Sequence, residues 1–336
     1  MSGASPGREG KGMPEGVESV LVVKPSSLGD IVHTLPSVHL LKRAHPALKI
    51  KWVVNTEWAP LLAENPDLDE VVLFPRKDFR FPPNLAKLRD WITVNRRLRP
   101  GLALDFQGLL RSALIGRLSG ASHIHCLGDA TISCRLLSQC VVPAIRSEEH
   151  AVTRYLKLVA PLGIDTAAPL EFPMPAGEKP AGIELPGRYL LVHPYSRGEN
   201  KSIPDDCLAR LVEMLAPVPV VLVGRTEEGR RPPEGCITLL NKTSLPGLIW
   251  LIRHAHFTVS VDSGPMHIAA AITGRLLGIH NWTDPFLVGP YNPDAWVWKN
   301  GNLLQMRGVS APSGPGTRNF GAEDLPQVAE FLRKQF

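Results

Sequence analysis

Residues 23–33, Val-Lys-Pro-Ser-Ser-Leu-Gly-Asp-Ile-Val-His, join a hydrophobic run to a helical pattern through a loop that carries hydroxyls, a glycine and a carboxylate. Leu21, Val22 and Val23 read as a buried parallel strand. Ligands of open α/β sheets gather beyond the carboxyl ends of such strands, which puts Ser26, Ser27, Gly29 and Asp30 beside a substrate. The two hydroxyls can hydrogen-bond it, Gly29 lets the backbone turn tightly next to it, and Asp30 is the candidate general base. A dinucleotide fingerprint with three spaced glycines is missing, which weakens a plain NAD reading. Asp30 has a second reading, as the cap of a helix whose apolar positions include Ile31, Leu35 and Val38.

A second constellation stands at residues 261–267, Val-Asp-Ser-Gly-Pro-Met-His, where one hydrophobic run ends and an alanine-rich helix opens. Ser263 is a natural N-cap, and Pro265 fits the first turn because its missing N–H has no helical partner there. The free N–H groups and dipole of that helix start would attract a phosphate beside Asp262, Ser263 and Gly264, with His267 one turn further in. Lys201 follows the run at 189–193 through a polar loop containing Tyr195 and Ser196; it can neutralise a pyrophosphate, or be a solvated loop charge. Thr226, Glu227 and Glu228 follow another strand, where a carboxylate can accept ribose hydroxyls. Trp282, Thr283, Asp284 and Pro285 follow the last strand and add a hydroxyl, a carboxylate and a rigid turn. Loops after four strands of one sheet would converge on one ligand.

The elements that must position these residues alternate. Apolar runs at 20–23, 50–54, 71–74 and 102–104 are separated by helical patterns, as a parallel sheet with crossover helices requires. Residues 163–187 are rich in Pro, Gly and Ala and read as a linker between domains. A second series follows, with strands at 189–193, 220–224, 257–261 and 276–279 and helices around 207–215, 245–255 and 266–272. The spacing of Leu325, Val328 and Leu332 predicts a closing helix over 323–336. The expected class is α/β, two Rossmann-like parallel-sheet domains facing a cleft: a tail at 1–16, a first domain at 17–165, a linker at 166–187, a second domain at 188–310, and a loop with the closing helix at 311–336. No short-period repeat is present.

Composition agrees with a globular chain. Its 336 residues are 44% hydrophobic and 21% charged, with no apolar run of bilayer-spanning length and no apolar core to the N-terminal segment, so the expected compartment is cytoplasmic. Cys126, Cys134, Cys140, Cys207 and Cys236 are odd in number and form no C-x-x-C pair, which favours free buried thiols. The formal charge of +5 suits an anionic partner.

Three stretches carry a family resemblance, and together they make it specific. Lys-Pro-Ser-Ser-Leu-Gly-Asp-Ile-Val-His-Thr-Leu-Pro at 24–36, Leu-Asp-Phe-Gln-Gly-Leu-Leu-Arg-Ser at 104–112 and Asp-Ser-Gly-Pro-Met-His-Ile-Ala-Ala at 262–270 resemble the glycosyltransferase family 9 heptosyltransferases, the ADP-heptose:lipopolysaccharide enzymes of Gram-negative bacteria. The resemblance spans most of the chain, from about residue 19 to 290. It implies a GT-B fold, with the donor nucleotide sugar, ADP-heptose, held mainly by the second domain and an anionic glycolipid acceptor by the first. It implies inverting transfer without a metal or cofactor, at the inner face of the inner membrane, with no nucleic acid involved. Carried over by position, Asp30 would be the general base and Lys201 the contact to the donor phosphates. Asp262, Ser263, Gly264 and His267 would form the diphosphate site, with Ser196, Glu228, Thr283 and Asp284 also on the donor side. Ser26, Ser27, Gly29, Gln107, Gly108 and Arg111 would face the acceptor.

The chain departs from the family pattern in three places. It reads His280-Asn281-Trp282 where a glycine usually precedes Thr-Asp-Pro, Asp129-Ala130-Thr131 where an Arg-Glu pair helps fix the acceptor, and Tyr195-Ser196 where smaller residues or Thr are common. Some features are decoys. Asp67-Leu68-Asp69 has the letters of a metal-binding D-x-D but precedes a strand, and the pairs His123/His125 and His254/His256, spaced to share a strand face, lack a completing ligand set. Asp205 and Asp206 read as a helix N-cap. The segment 76–99 carries Arg76, Lys77, Arg80, Lys87, Arg89, Arg96, Arg97 and Arg99 against Asp78 and Asp90, with Phe79, Phe81 and Trp91 between; it either meets an anionic acceptor or membrane surface, or is a solvated helix with Leu88 and Trp91 in the core. A sugar-nucleotide epimerase of the same architecture and a non-catalytic nucleotide or glycan binder are the rival functions.

Overall fold

The computed structural model describes residues 12–79, 84–196, 201–227 and 230–336. The first unit, Met1–Pro173, runs β1 (Ser19–Val23), α1 (Leu28–Ala44), β2 (Lys49–Asn55), β3 (Glu70–Phe74), α2 (Leu85–Arg96), β4 (Leu102–Asp105), α3 (Leu110–Leu118), β5 (His123–Leu127), α4 (Ile132–Leu137), β6 (Cys140–Val142) and α5 (Ala151–Val159). Its six strands are all parallel in the order β3-β2-β1-β4-β5-β6. Helices cover the sheet on two sides: α1 packs on α5, and α2, α3 and α4 pack in succession. That is why β1 is apolar at every position from Val20 to Val23 instead of alternating. Leu21 and Val23 pack with Trp91 of α2 and Ile115 of α3.

The second unit, Met174–Phe336, runs β7 (Leu190–His193), α6 (Asp205–Leu215), β8 (Val220–Leu222), β9 (Ile237–Thr238), α7 (Leu245–His254), β10 (Phe257–Val261), α8 (Gly264–Ile272), β11 (Leu276–Ile279), α9 (Pro285–Val288), β12 (Trp296–Lys299), β13 (Asn302–Gln305) and α10 (Leu325–Lys334). The strand order is β13-β12-β11-β10-β7-β8-β9, and only the β12–β13 pairing is antiparallel. The α10 helix closes over α6 with Leu325, Val328 and Leu332 in the core. Chain order reverses between β1 and β4 in one sheet and between β7 and β10 in the other. Those are the switch points where such sheets bind ligands.

Several expectations change. Gly29 is the second residue of α1 and does not take a left-handed conformation, because the helix starts at Leu28 and the turn is made before it. Asp205 and Asp206 lie inside the first turn of α6 after Pro204, and Asp205 accepts from the Tyr195 hydroxyl at 3.0 Å instead of capping. His254 ends α7, stacked on Trp250, and His256 lies outside any strand, joined to the carbonyl of Gln335, so the two do not share a strand face. Of the tail read over 1–16, residues 1–11 lie outside the described residues, while the Gly12 amide donates to the Pro161 carbonyl at 2.8 Å. All five cysteines are free thiols, with Cys140 and Cys236 only half-buried. Phe79 and Trp91 are taken up by the core around Phe74, Leu88 is half-buried, and Arg80 and Phe81 lie outside the described residues.

Candidate active site

The β1 strand delivers Lys24 into the interior, where its ammonium donates to the Phe106 carbonyl at 3.1 Å and to the Tyr155 hydroxyl at 2.8 Å. That hydroxyl donates onward to Asp30 Oδ1 at 2.9 Å, and the Lys24 Nζ stands 3.8 Å from the same oxygen. The other oxygen, Oδ2, accepts from the Ser27 hydroxyl at 2.6 Å and the Ser27 amide at 3.1 Å. One Asp30 oxygen thus closes the helix start with the N-cap Ser27, and the other joins a buried polar chain. Burial would raise the Asp30 pKa, but the Lys24 charge and the Ser27 donors outweigh it and hold the carboxyl well below the usual carboxylate range. The Asp30 side chain keeps 36% of its surface open, against 3% for Lys24. The site thus holds a fixed, ionised carboxylate with part of its surface open.

The loop after β4 is tied to this one. Asp105 Oδ1 accepts from the amides of Gln107 and Gly108, both at 2.9 Å, and Gln107 Oε1 accepts from the Ser26 amide at 3.2 Å. Gly108 has φ +71 and a Cβ there would meet that of Ala130 at 3.0 Å, so glycine is required on both conformational and steric grounds. Ser26, Gln107, Arg76 and Arg111 line one concavity. Burial, and secondarily the Arg76 charge, push the Arg111 pKa down, and two guanidinium groups that repel each other there favour an anion between them. In place of an Arg-Glu pair, Asp129 binds Arg154 at 3.0 Å and Arg146 at 3.6 Å.

In the second unit, Lys201 Nζ donates to Asp262 Oδ2 at 2.8 Å and lies 4.9 Å from the centre of the Trp282 ring. Burial opposes the charge on Asp262, yet His280, His267 and Lys201 lower its pKa. Ser263 takes the N-cap position of α8 but its hydroxyl does not cap: it donates to the Val261 carbonyl at 3.0 Å and lies 3.3 Å from His193 Nδ1. The first amides of α8, from Gly264 on, are left without that cap, and His267 is buried one turn in. Thr283 bonds His280 Nδ1 at 2.9 Å, and Asp284 caps the Phe286 amide at 3.0 Å while accepting from the Gly314 amide at 2.7 Å. These two hold the loop after β11 together. The Ser196 amide donates to Ser202 at 3.1 Å. Glu228 lies outside the described residues.

Sequence reasoning gave no role to Lys24, Tyr155 or the Trp282 ring. Tyr155 stands 125 residues from Asp30 on an ordinary amphipathic helix, and nothing in the sequence linked them. Lys24 had a faint signal, a lysine where a buried strand ends. The decoys resolve structurally: Asp69 accepts from the Ile50 amide and from Lys49, which pulls its pKa down to about 2, and Asp67 binds His39 at 3.0 Å. Among the described residues no three His, Cys, Asp or Glu side chains are placed to hold a metal ion.

Residues 91–311 match the model of glycosyltransferase family 9 (heptosyltransferase), a span that includes Gln107, Lys201 and Asp262 and begins after Asp30. The chain is similar to lipopolysaccharide heptosyltransferase 1 of Escherichia coli O18:K1:H7, 29% identical over 87% of this chain and 95% of the relative. It has the same identity to the Pseudomonas aeruginosa protein of that name, over 81% of each. The solved E. coli heptosyltransferase WaaC with ADP superposes at a TM-score of 0.75 with 22% identity, covering 95% of this chain and 100% of that one. E. coli ADP-heptose lps heptosyltransferase II gives 0.76 with 20% identity over 94% and 98%. The two Rossmann-like units are thus of the GT-B type. The chain belongs to glycosyltransferase family 9, and it is a transferase enzyme.

Proposed function

We propose that this protein transfers heptose from ADP-heptose to the inner core of lipopolysaccharide or a related anionic glycolipid, with inversion and without a metal ion or cofactor. The observation that carries the proposal is Asp30, an ionised carboxylate with a third of its surface open at the switch point of its sheet. In the reaction the acceptor hydroxyl gives its proton to Asp30 as its oxygen bonds to the anomeric carbon. The bond from that carbon to the diphosphate breaks, and ADP leaves with the electron pair. Its growing charge is met by Lys201 and the amides of Ser263 and Gly264 where α8 begins, a donor set that can serve where other transferases use a cation. Asp30, held at so low a pKa, is a weak base, so proton uptake must accompany bond formation instead of preceding it.

Ser26, Gln107 and Arg111 on the acceptor side, with Arg76 beside them, suit a phosphorylated sugar. The relatives' names place them in lipopolysaccharide synthesis, which supports a cytoplasmic enzyme working at the inner face of the inner membrane. No helix among the described residues is long and apolar enough to cross a membrane. The test is a thermal-shift comparison of ADP-, UDP- and GDP-sugars, since a ligand of the folded state raises its melting temperature. ADP-heptose alone should give a large shift, followed by product only when glycolipid is added. A preference for UDP-sugars, or conversion of the sugar nucleotide with no acceptor present, would overturn the assignment.

A further inference from the structure

Ten of the twelve large hydrophobic side chains exposed among the described residues lie between Leu73 and Ile145, so the apolar surface is concentrated in one stretch of the first unit. Four of the ten lie on two helices. Leu110 and Leu114, one turn apart on α3, are 48% and 44% exposed; Ile132 and Leu136, one turn apart on α4, are 68% and 80% exposed. Side chains four apart share a helix face, and α3 packs on α4, so the four belong to one neighbourhood. They are surplus to the core, which these helices fill with Ala113, Ile115 and Cys134. The same helices expose Arg111, Arg117 and Arg135 and hold no Asp or Glu.

Apolar side chains among charges of a single sign narrow the choice of partner. A second copy meeting this face through a two-fold axis would set arginine against arginine, which is unfavourable. An anionic bilayer satisfies both kinds of side chain: the aliphatic groups enter the boundary of the acyl chains and the guanidinium groups meet lipid phosphates. We propose that the exposed face of α3 and α4 docks the protein on an anionic phospholipid bilayer. The purpose of docking rests on the glycolipid reading above; the binding itself is measured without any acceptor.

The full chain is sedimented with vesicles of phosphatidylethanolamine and phosphatidylglycerol, and separately with phosphatidylcholine vesicles. Wild type should bind the first and not the second. Ile132→Ser combined with Leu136→Gln should weaken partitioning about tenfold or more through lost apolar burial, and Arg135→Gln roughly fivefold, with added salt mimicking it. Neither change touches the core, so melting temperature and turnover on a short-chain, water-soluble acceptor should stay at wild-type values. Loss of vesicle binding in the variants supports the face even if no acceptor is ever glycosylated. Equal sedimentation of wild type and both variants overturns it, and so does a wild-type dimer that the double variant converts to monomer, which would make the face a contact between copies.

Discussion

The two units share one device with opposite polarity. At the switch point of the first sheet a buried cation, Lys24, supports an open anion, Asp30, with side-chain exposures of 3% and 36%. At the switch point of the second, a buried anion, Asp262, supports an open cation, Lys201, at 9% and 25%. Each buried partner is costly by itself, and pairing makes it tolerable. The pair also sets which sign faces the ligand. The first pair comes from one strand-loop-helix unit, β1 to α1, and the second from the loops after two neighbouring strands, β7 and β10. Under the proposed function, the open anion would suit an entering hydroxyl and the open cation a departing diphosphate.

The change that should break the first half most severely is Asp30→Asn. Turnover should fall by about two to four orders of magnitude, the scale for a lost general base, measured in single turnover with saturating donor and acceptor. Wild-type turnover in that variant would remove Asp30 from the chemistry. Acid should injure the second unit more than the first. Burial lowers the pKa of His193 and His280 in the second unit, and of His125 in the first, to about 4. Their folded pKa values lie below the unfolded 6.5, so the unfolded chain binds the extra protons. The stability these groups contribute is complete above pH 6.5 and is lost as pH falls toward 4, at about 1.4 kcal/mol per pH unit for each group. Melting followed by calorimetry should show the second unit losing more between pH 7 and 5; equal losses would contradict this.

Lys201→Ala should raise the donor KM about tenfold or more, the worth of a hydrogen bond between charged groups, while chelators leave the rate unchanged. A strict need for magnesium or manganese would overturn the assignment of the diphosphate charge to Lys201. Tyr155→Phe should have the smallest effect. It removes the hydroxyl that donates to Asp30 Oδ1, so the carboxylate is held less firmly and kcat should fall by about fivefold with the donor KM unchanged. An unchanged kcat would confine Tyr155 to packing.

Much of this was legible in advance because each open charged residue sits where a strand ends and a helix begins, a place marked by local composition. The strands at 257–261 and 276–279 were read with their observed limits, since buried parallel strands are continuous apolar runs. The strands β9, β12 and β13 escaped: β9 is two residues long and β13 sets only Leu303 and Leu304 between Asn302 and Gln305, while the apolar run at 295–298 that becomes β12 follows a Pro- and Asp-containing turn and was not read as a strand. Asp30, Lys201 and Asp262 were visible, but the contacts that pair them were not. Tyr155 comes from a distant helix, and the Lys201–Asp262 pair joins loops 61 residues apart, a closeness created by the crossing of β7 to β10. Ser263 was assigned to capping by its type, whereas its hydroxyl is drawn to the Val261 carbonyl and His193.

The division of labour is tested most directly by calorimetric titration of ADP into the wild-type enzyme, Asp30→Asn and Lys201→Ala under identical conditions. ADP affinity should be equal for wild type and Asp30→Asn, and weakened for Lys201→Ala. Affinity lost equally in both variants, or lost in Asp30→Asn alone, would contradict the assignment of the anionic site to acceptor chemistry and the cationic site to the donor.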